Sequence, residues 1–266
     1  MTLPVLSETR DGYRVLTLNR PERLNAINLA LLEAMSAAVD DAASDPACRA
    51  LLITGAGRAF CSGQDLHDRV AKLGQTEFVV GETLRTHYHP LIQKLRALPY
   101  PVIAAVNGIA AGAGCNLALN ADIVVAAHSA SFIQAFVRIG LIPDAGGTWL
   151  LPRLVGLARA RGLAMTGDDL PAVTAAEWGL IWKALPDPEM MGEAHRICAQ
   201  FARAPTVALG LMKQALNAST ANDFDSQIQL EYELQKQAGV TPDFAEGVRA
   251  FIEKRKPVFT GAKAKP

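Results

Sequence analysis

The most apolar window of the chain, Val102 to Leu119, carries Asn107, Gly108, Gly112, Gly114 and Asn116 inside it. A membrane-spanning helix needs about 20 predominantly apolar residues, and this many turn formers argue against one here. The window reads instead as a buried strand, Val102 to Val106, followed by a turn and a small-residue helix running from Ile109 to Leu119.

The rest of the chain extends that pattern. Tyr13 to Leu18 alternates and ends at Asn19-Arg20-Pro21, as a strand entering a turn does. Leu29, Leu32, Met35 and Val39 repeat at helical spacing between Asn28, a capping residue type, and Asp45-Pro46. Ala50 to Thr54 and Ile123 to Ala127 read as short strands. Leu84, Tyr88, Leu91, Ile92, Leu95 and Leu98 form one helical face that stops before Pro99. From about Gly156 onward the chain reads as almost wholly helical, and Gly261 to Pro266 as a frayed end. The expectation is an α/β core over residues 1–200 and a helical C-terminal region over residues 201–266.

Composition removes several classes of function. Lys plus Arg and Asp plus Glu number 26 each, so no basic excess points to nucleic acid or an anionic membrane. Cys48, Cys61, Cys115 and Cys198 stand far apart without metal-ligand spacing, which reads as reduced thiols in a cytoplasmic protein. The N-terminal residues lack the basic-then-apolar order of a secretion signal. Gly112-Ala113-Gly114 lacks the third glycine of a dinucleotide fingerprint, and no phosphate-binding P-loop occurs. Ser62 has no glycine two residues before it, so Cys61-Ser62-Gly63 is not a nucleophile elbow.

One carboxylate stands out. Asp144 lies in Leu141-Ile142-Pro143-Asp144-Ala145-Gly146-Gly147, where an apolar segment turns into a glycine-rich stretch. From the residues alone it is either the N-cap of a helix beginning at Ala145 or Gly146, or an acid/base in a dry pocket. Its apolar company (Phe136, Ile139, Leu141, Ile142) favours a raised pKa, in the range useful for proton transfer.

Three segments together resemble the crotonase (enoyl-CoA hydratase/isomerase) superfamily. They are Asn19-Arg20-Pro21 with Leu24-Asn25-Ala26, Ala59-Phe60-Cys61-Ser62-Gly63-Gln64-Asp65-Leu66, and Val106-Asn107-Gly108 through Gly112-Ala113-Gly114-Cys115-Asn116. The resemblance runs over nearly the whole chain. It implies an α/β spiral of β-β-α units, a helical C-terminal trimerisation region, an acyl-CoA substrate, and a homotrimer or dimer of trimers. It also implies no cofactor beyond the coenzyme A of the substrate, and an oxyanion hole made by the amides of Gln64 and Ala113. The residue types suit that device, because Gly63 and Gly112 let backbone approach a ligand closely. A helix starting at Ala113 would add its positive end, and one such donor is typically worth about 3–4 kcal/mol of barrier.

Hydratases of this family use two glutamates to activate water, and the matching positions here are Asn116 and Phe136. Simple hydration is therefore not expected. Asp144 matches instead the catalytic aspartate of dienoyl-CoA isomerases, aromatic acyl-CoA dehalogenases and the ring-epoxide isomerases of phenylacetate degradation. The wording around Gly55-Ala56-Gly57-Arg58, Tyr88, Asp144 to Arg153 and Glu177-Trp178-Gly179 is nearest to the last group. The implied activity is isomerisation of 3-enoyl- to 2-enoyl-CoA and of a ring epoxide to an oxepin, with Asp144 as the single acid/base.

By the same resemblance Arg23, Ala26, Ser62, Asp65, Leu66 and Tyr88 bind substrate, as do His89, Asn116, Phe136 and Lys254. Each has a plainer reading. His89 is equally an exposed helix flank beside Tyr88, and Phe132 and Phe136 are equally ordinary core. Asn116 is equally a backbone partner at its turn, and Lys254 with Arg255 a solvated helix end. By resemblance Lys254 reaches the CoA phosphates, of its own or a neighbouring subunit. Beside the isomerase stand two alternatives, an aromatic acyl-CoA dehalogenase and a non-catalytic acyl-CoA-binding scaffold.

Overall fold

The computed structural model describes residues 3–70 and 80–263. In chain order the first elements are β1 (Val5–Arg10), β2 (Tyr13–Leu18), α1 (Leu29–Ser44), β3 (Leu51–Gly55), β4 (Ala59–Cys61) and α2 (His67–Val70). Next come α3 (Val80–Thr83), a π-helical turn (Leu84–Tyr88), α4 (His89–Ala97), β5 (Val102–Val106), β6 (Ile109–Ala111), α5 (Ala113–Leu119), β7 (Ile123–Ala127) and β8 (Ser131–Ile133). A 3-10 turn (Ala135–Ile139) leads to α6 (Gly147–Thr166), β9 (Asp169–Pro171), α7 (Ala172–Glu177), β10 (Lys183–Leu185) and α8 (Asp187–Ala202). The chain ends in α9 (Thr206–Ser219), α10 (Phe224–Gly239) and α11 (Pro242–Ile252).

Two sheets organise these elements. One runs β1-β2-β3-β5-β7-β10 and is parallel apart from the β1–β2 hairpin; the other runs β4-β6-β8-β9. Consecutive strands alternate between them, so that β3, β5 and β7 enter the first sheet and β4, β6 and β8 the second. Each pair is followed by helix, which is the expected spiral of β-β-α units. β3 and β5 are buried along their whole length, with α1 and α8 packed against the first sheet. α1 forms as its sequence indicates. The Asn28 side chain accepts from the Leu31 amide at 3.0 Å, and Leu31, Leu32, Met35 and Val39 face the core.

Two expectations needed correction. Ile109 does not begin a helix; residues 109–111 form β6, and the helix starts at Ala113. The reading of the chain beyond Gly156 as almost wholly helical misses β9 and β10, two three-residue strands that interrupt the helices. These strands have three residues each, too few to show alternation, and take their identity from sheet partners distant in sequence.

α9 is seated firmly on the core. A Cβ built on Gly210 would stand 2.4 Å from the Pro99 carbonyl oxygen. The buried Lys213 ammonium meets Asp122 Oδ2 at 2.8 Å and the Leu95 carbonyl at 3.0 Å. The segment expected to fray starts anchored, with the Thr260 and Gly261 amides donating to Asp243 at 2.8 and 2.9 Å; residues 264–266 lie outside the described residues. No helix among the described residues is long and apolar enough to cross a membrane.

Candidate active site

The site is built where the segment 24–27 pairs with 62–65. Asn25 is fully buried with a left-handed backbone (φ +55°), and its amide donates to the Ala56 and Ala59 carbonyls at 2.9 and 2.8 Å. The Ser62 amide donates to the Leu24 carbonyl, the Ile27 amide to that of Gly63, and the Asp65 amide to that of Ile27. In this parallel bridge residue 27 uses both its backbone groups, so the Gln64 N–H is directed away from it. The Arg20 guanidinium closes the corner by donating to the Ala26 carbonyl and to Asp65 Oδ2, the latter at 3.0 Å. Burial pushes the Asp65 carboxyl up, but Arg20 and the His67 amide together hold it below the usual carboxylate range. Asp65 is thus a locked anion, and Arg20 is a site-building residue whose partner, 45 positions away, gives no local signal.

Gly63 has φ +93°, and a Cβ there would stand 2.8 Å from the Ala111 carbonyl oxygen and 3.7 Å from the Ala113 nitrogen. Only glycine allows this approach, which brings the backbone just before Gln64 up to the start of α5. Ala113 is the first residue of α5, where a helix amide has no intrahelical acceptor. α5 has only seven residues, so the amide itself matters more than the helix dipole. The Gln64 side chain is held at both ends. It donates to the Ile27 carbonyl at 2.9 Å and accepts from the Tyr88 hydroxyl at 2.8 Å.

Tyr88, Ala113 and Ala145 line one small apolar space with Ile27, Leu31, Leu32, Met35, Leu91, Ile92 and Leu117. Gln64, Ala113, Tyr88 and the Asp144 turn are thereby drawn into one neighbourhood. Phe136 is buried, and a Cβ on Gly112 would stand 3.8 Å from its Cζ, which puts the ring beside the Gly112–Ala113 backbone. Asn116 is fully buried behind the turn, with its amide donating to the Asp144 carbonyl and accepting from Gln134.

Asp144 is half-buried. It does not occupy the N-cap position of α6, which starts at Gly147 after a left-handed Gly146. The apolar wall expected around it is only partly present. Phe136 is buried, whereas Ile139, Leu141 and Ile142 are exposed, because the 3-10 turn and the loop after it direct them outward.

The remaining candidates divide between this centre's surroundings and the C-terminal helices. Ala26 and Ser62 lie on the paired segments, and Arg23 and Leu66 are exposed at their rim. His89 is exposed on the flank of α4 next to buried Tyr88. Lys254 is exposed with a left-handed backbone just past α11, on the helical region. Cys61 and Cys115 lie close to the site, but burial pushes both thiols up to about 12, so neither is a nucleophile near neutral pH.

Comparison with known proteins gives concordant results. A family model described as Enoyl-CoA hydratase/isomerase matches residues 8–262. The chain is 48% identical over 257 residues to the 1,2-epoxyphenylacetyl-CoA isomerase of Escherichia coli (strain K12), covering 97% of this chain and 98% of that protein. It is 50% identical over 254 residues to a probable enoyl-CoA hydratase of Rhodobacter capsulatus, covering 96% of each. Among solved structures, an enoyl-CoA hydratase/isomerase from Mycobacterium abscessus superposes with a TM-score of 0.92 at 35% identity, covering 97% of this chain and all of that one.

Proposed function

This chain belongs to the enoyl-CoA hydratase/isomerase family, and from that premise we propose that it is an acyl-CoA isomerase working through an enolate. The observation that supports the reading is the Gly63 junction, one residue before Gln64, where a Cβ would stand 3.7 Å from the Ala113 nitrogen. The thioester oxygen accepts from the Gln64 and Ala113 amides. Charge that develops on it is stabilised there, and the α-carbon becomes more acidic. The Asp144 carboxylate takes a proton from C2 of a 3-enoyl-CoA and returns it to C4, while the double bond moves from C3–C4 to C2–C3. The carboxylate ends as it began, so no base is consumed. The substrate's oxidation state is unchanged, so the proposed chemistry requires no nicotinamide, flavin or metal ion.

The name of the Escherichia coli relative supports a second substrate of the same site, the ring epoxide of phenylacetyl-CoA. There the amide pair would hold the thioester while C–O and C–C bonds reorganise to the oxepin, with Asp144 assisting charge movement. Hydration, the name carried by the Rhodobacter capsulatus relative, needs a base to activate water. Asn116 and Phe136 offer none.

Exposed apolar side chains on α9–α11, among them Leu216, Phe224, Phe244 and Phe251, support assembly as a homotrimer or dimer of trimers. Lys254 would then serve the CoA phosphates of its own or a neighbouring subunit. Buried, unpaired cysteines suit the reducing cytoplasm. The test is product formation from three substrates. A 3-enoyl-CoA is expected to give the conjugated 2-enoyl-CoA, a 2-enoyl-CoA to give little 3-hydroxyacyl-CoA, and a 4-halobenzoyl-CoA to release no halide. Faster hydration than isomerisation would make the protein a hydratase, halide release would make it a dehalogenase, and no turnover of any of them would favour a scaffold.

A further inference from the structure

Three buried carboxamides stand behind the Asp144 turn, and the proposed proton transfer uses none of them directly. Asn116, Asn120 and Gln134 are each at most 4% exposed. Asn116 Nδ2 donates to the Asp144 carbonyl at 2.8 Å, and Asn120 Nδ2 donates to the Ala145 carbonyl at 2.9 Å. Gln134 Nε2 donates to Asn116 Oδ1 at 2.9 Å. The orientation of the set is fixed by its end point. A carbonyl accepts only from an NH2 group, so Asn116 must turn its oxygen to Gln134, and Gln134 its nitrogen to Asn116. The fit is tight, since a Cβ on Gly147 would stand 2.3 Å from Asn116 Nδ2.

What these amides hold is a strained turn. Ala145 is buried with φ +47°, a conformation that a non-glycine residue keeps only when its surroundings fix it. Asn116 and Asn120 are four positions apart and share one side of the helical segment, so both reach the same turn. The same helix begins with Ala113. One short rigid element therefore carries an oxyanion amide at its start and, on its flank, the two grips on the acid's own backbone.

We propose that Asn116 and Asn120, braced by Gln134, are positioning residues that set where the Asp144 carboxyl stands relative to the thioester. They act by clamping the Asp144 and Ala145 carbonyls to α5. The inference rests on the reading of Asp144 as acid/base and adds to it a fixed distance between the acid and the amide pair. A displacement of about 1 Å at such a group can lower a rate about 100-fold.

The test uses two substitutions that break one contact from opposite sides. Asn116→Asp keeps size and shape and loses the donor to the Asp144 carbonyl. Gly147→Ala changes no hydrogen-bonding group and puts a methyl where the Asn116 amide lies. Each is assayed with a 3-enoyl-CoA, alone and combined with Asp144→Asn. Alone, each is expected to lower kcat about 10–100-fold with KM little changed, and to shift the acid limb of the kcat/KM pH profile. Combined with Asp144→Asn, neither is expected to lower the residual rate further. Should Asn116→Asp fail to fold, Gly147→Ala decides alone. A folded Gly147→Ala enzyme with parental kcat overturns the proposal, as does an equal loss with and without the Asp144 carboxylate. A fully active Asp144→Asn removes the reading beneath it, and is told apart by needing no second substitution.

Discussion

The Tyr88 hydroxyl donates to Oε1 of Gln64 at 2.8 Å, joining the π-helical turn ahead of α4 to the residue proposed to offer its amide to the thioester oxygen. With the Gln64 Nε2 bond to the Ile27 carbonyl, it fixes the Gln64 side chain at both ends. Removing the hydroxyl leaves a partly buried acceptor unsatisfied, which costs about 1–3 kcal/mol. Tyr88→Phe is expected to lower kcat roughly tenfold while keeping the fold, as 1.4 kcal/mol corresponds to tenfold in rate. Steady-state kinetics together with a thermal melt check this, and an unchanged kcat would show that the side-chain clamp does not control the amide.

Gly63→Ala is expected to be far more damaging than its size suggests. The added methyl would meet the Ala111 carbonyl at 2.8 Å on a backbone with φ +93°. Relief requires the Gly63–Gln64 segment to move away from Ala111, which would separate the two proposed oxyanion donors. Loss of one donor costs about 100–1,000-fold in kcat. Isomerisation of a 3-enoyl-CoA measures it, with circular dichroism to show that the variant folds.

The four cysteines should be silent in the native protein. All are buried, and burial pushes the Cys61, Cys115 and Cys198 thiols up to about 12. Iodoacetamide at neutral pH is expected to label none of them and to leave activity unchanged, then to label all four after denaturation. Rapid native labelling of Cys61 or Cys115, followed on tryptic peptides, would place a reactive thiol beside the site.

Acid should loosen the segment after α11 before it unfolds the core. Hydrogen bonds from Arg255 and from the Val258 amide hold the Glu246 carboxyl down at about 2. Its folded value lies below its unfolded one, so this anchor is complete above the ordinary Glu range and is lost as pH falls towards 2. Hydrogen exchange at residues 255–258, corrected for intrinsic rate, is expected to quicken between about pH 4 and 2. Uniform protection over that window would contradict it.

Much of this arrangement was legible in the residue order. β2, β5 and β7 fall at the expected positions because each is a continuous or alternating apolar run long enough to read. α1 was legible because Asn28 caps it. Gln64 and Ala113 are named by the family resemblance, and the glycine expected to suit that device at residue 63 does occupy a backbone region closed to other residues. The parts that escaped depend on distant partners. Arg20 reaches Asp65, Asn120 reaches Ala145 and Gln134 reaches Asn116, contacts spanning 45, 25 and 18 positions. No local pattern encodes them. From the residues alone Asp144 reads equally as a cap, because Asp often is one, or as an acid/base. The left-handed Gly146 moves the helix start to Gly147 and leaves the acid outside it.

The most direct measurement is isomerisation of a 3-enoyl-CoA by Asp144→Asn beside the parent enzyme, with thioester binding followed separately by calorimetry. General acid/base catalysis contributes about 100–10,000-fold. The variant is expected to bind the thioester as the parent does and to lose turnover within that range. Parental turnover from a folded Asp144→Asn enzyme would contradict the account, because proton relay between carbons would then have some other origin.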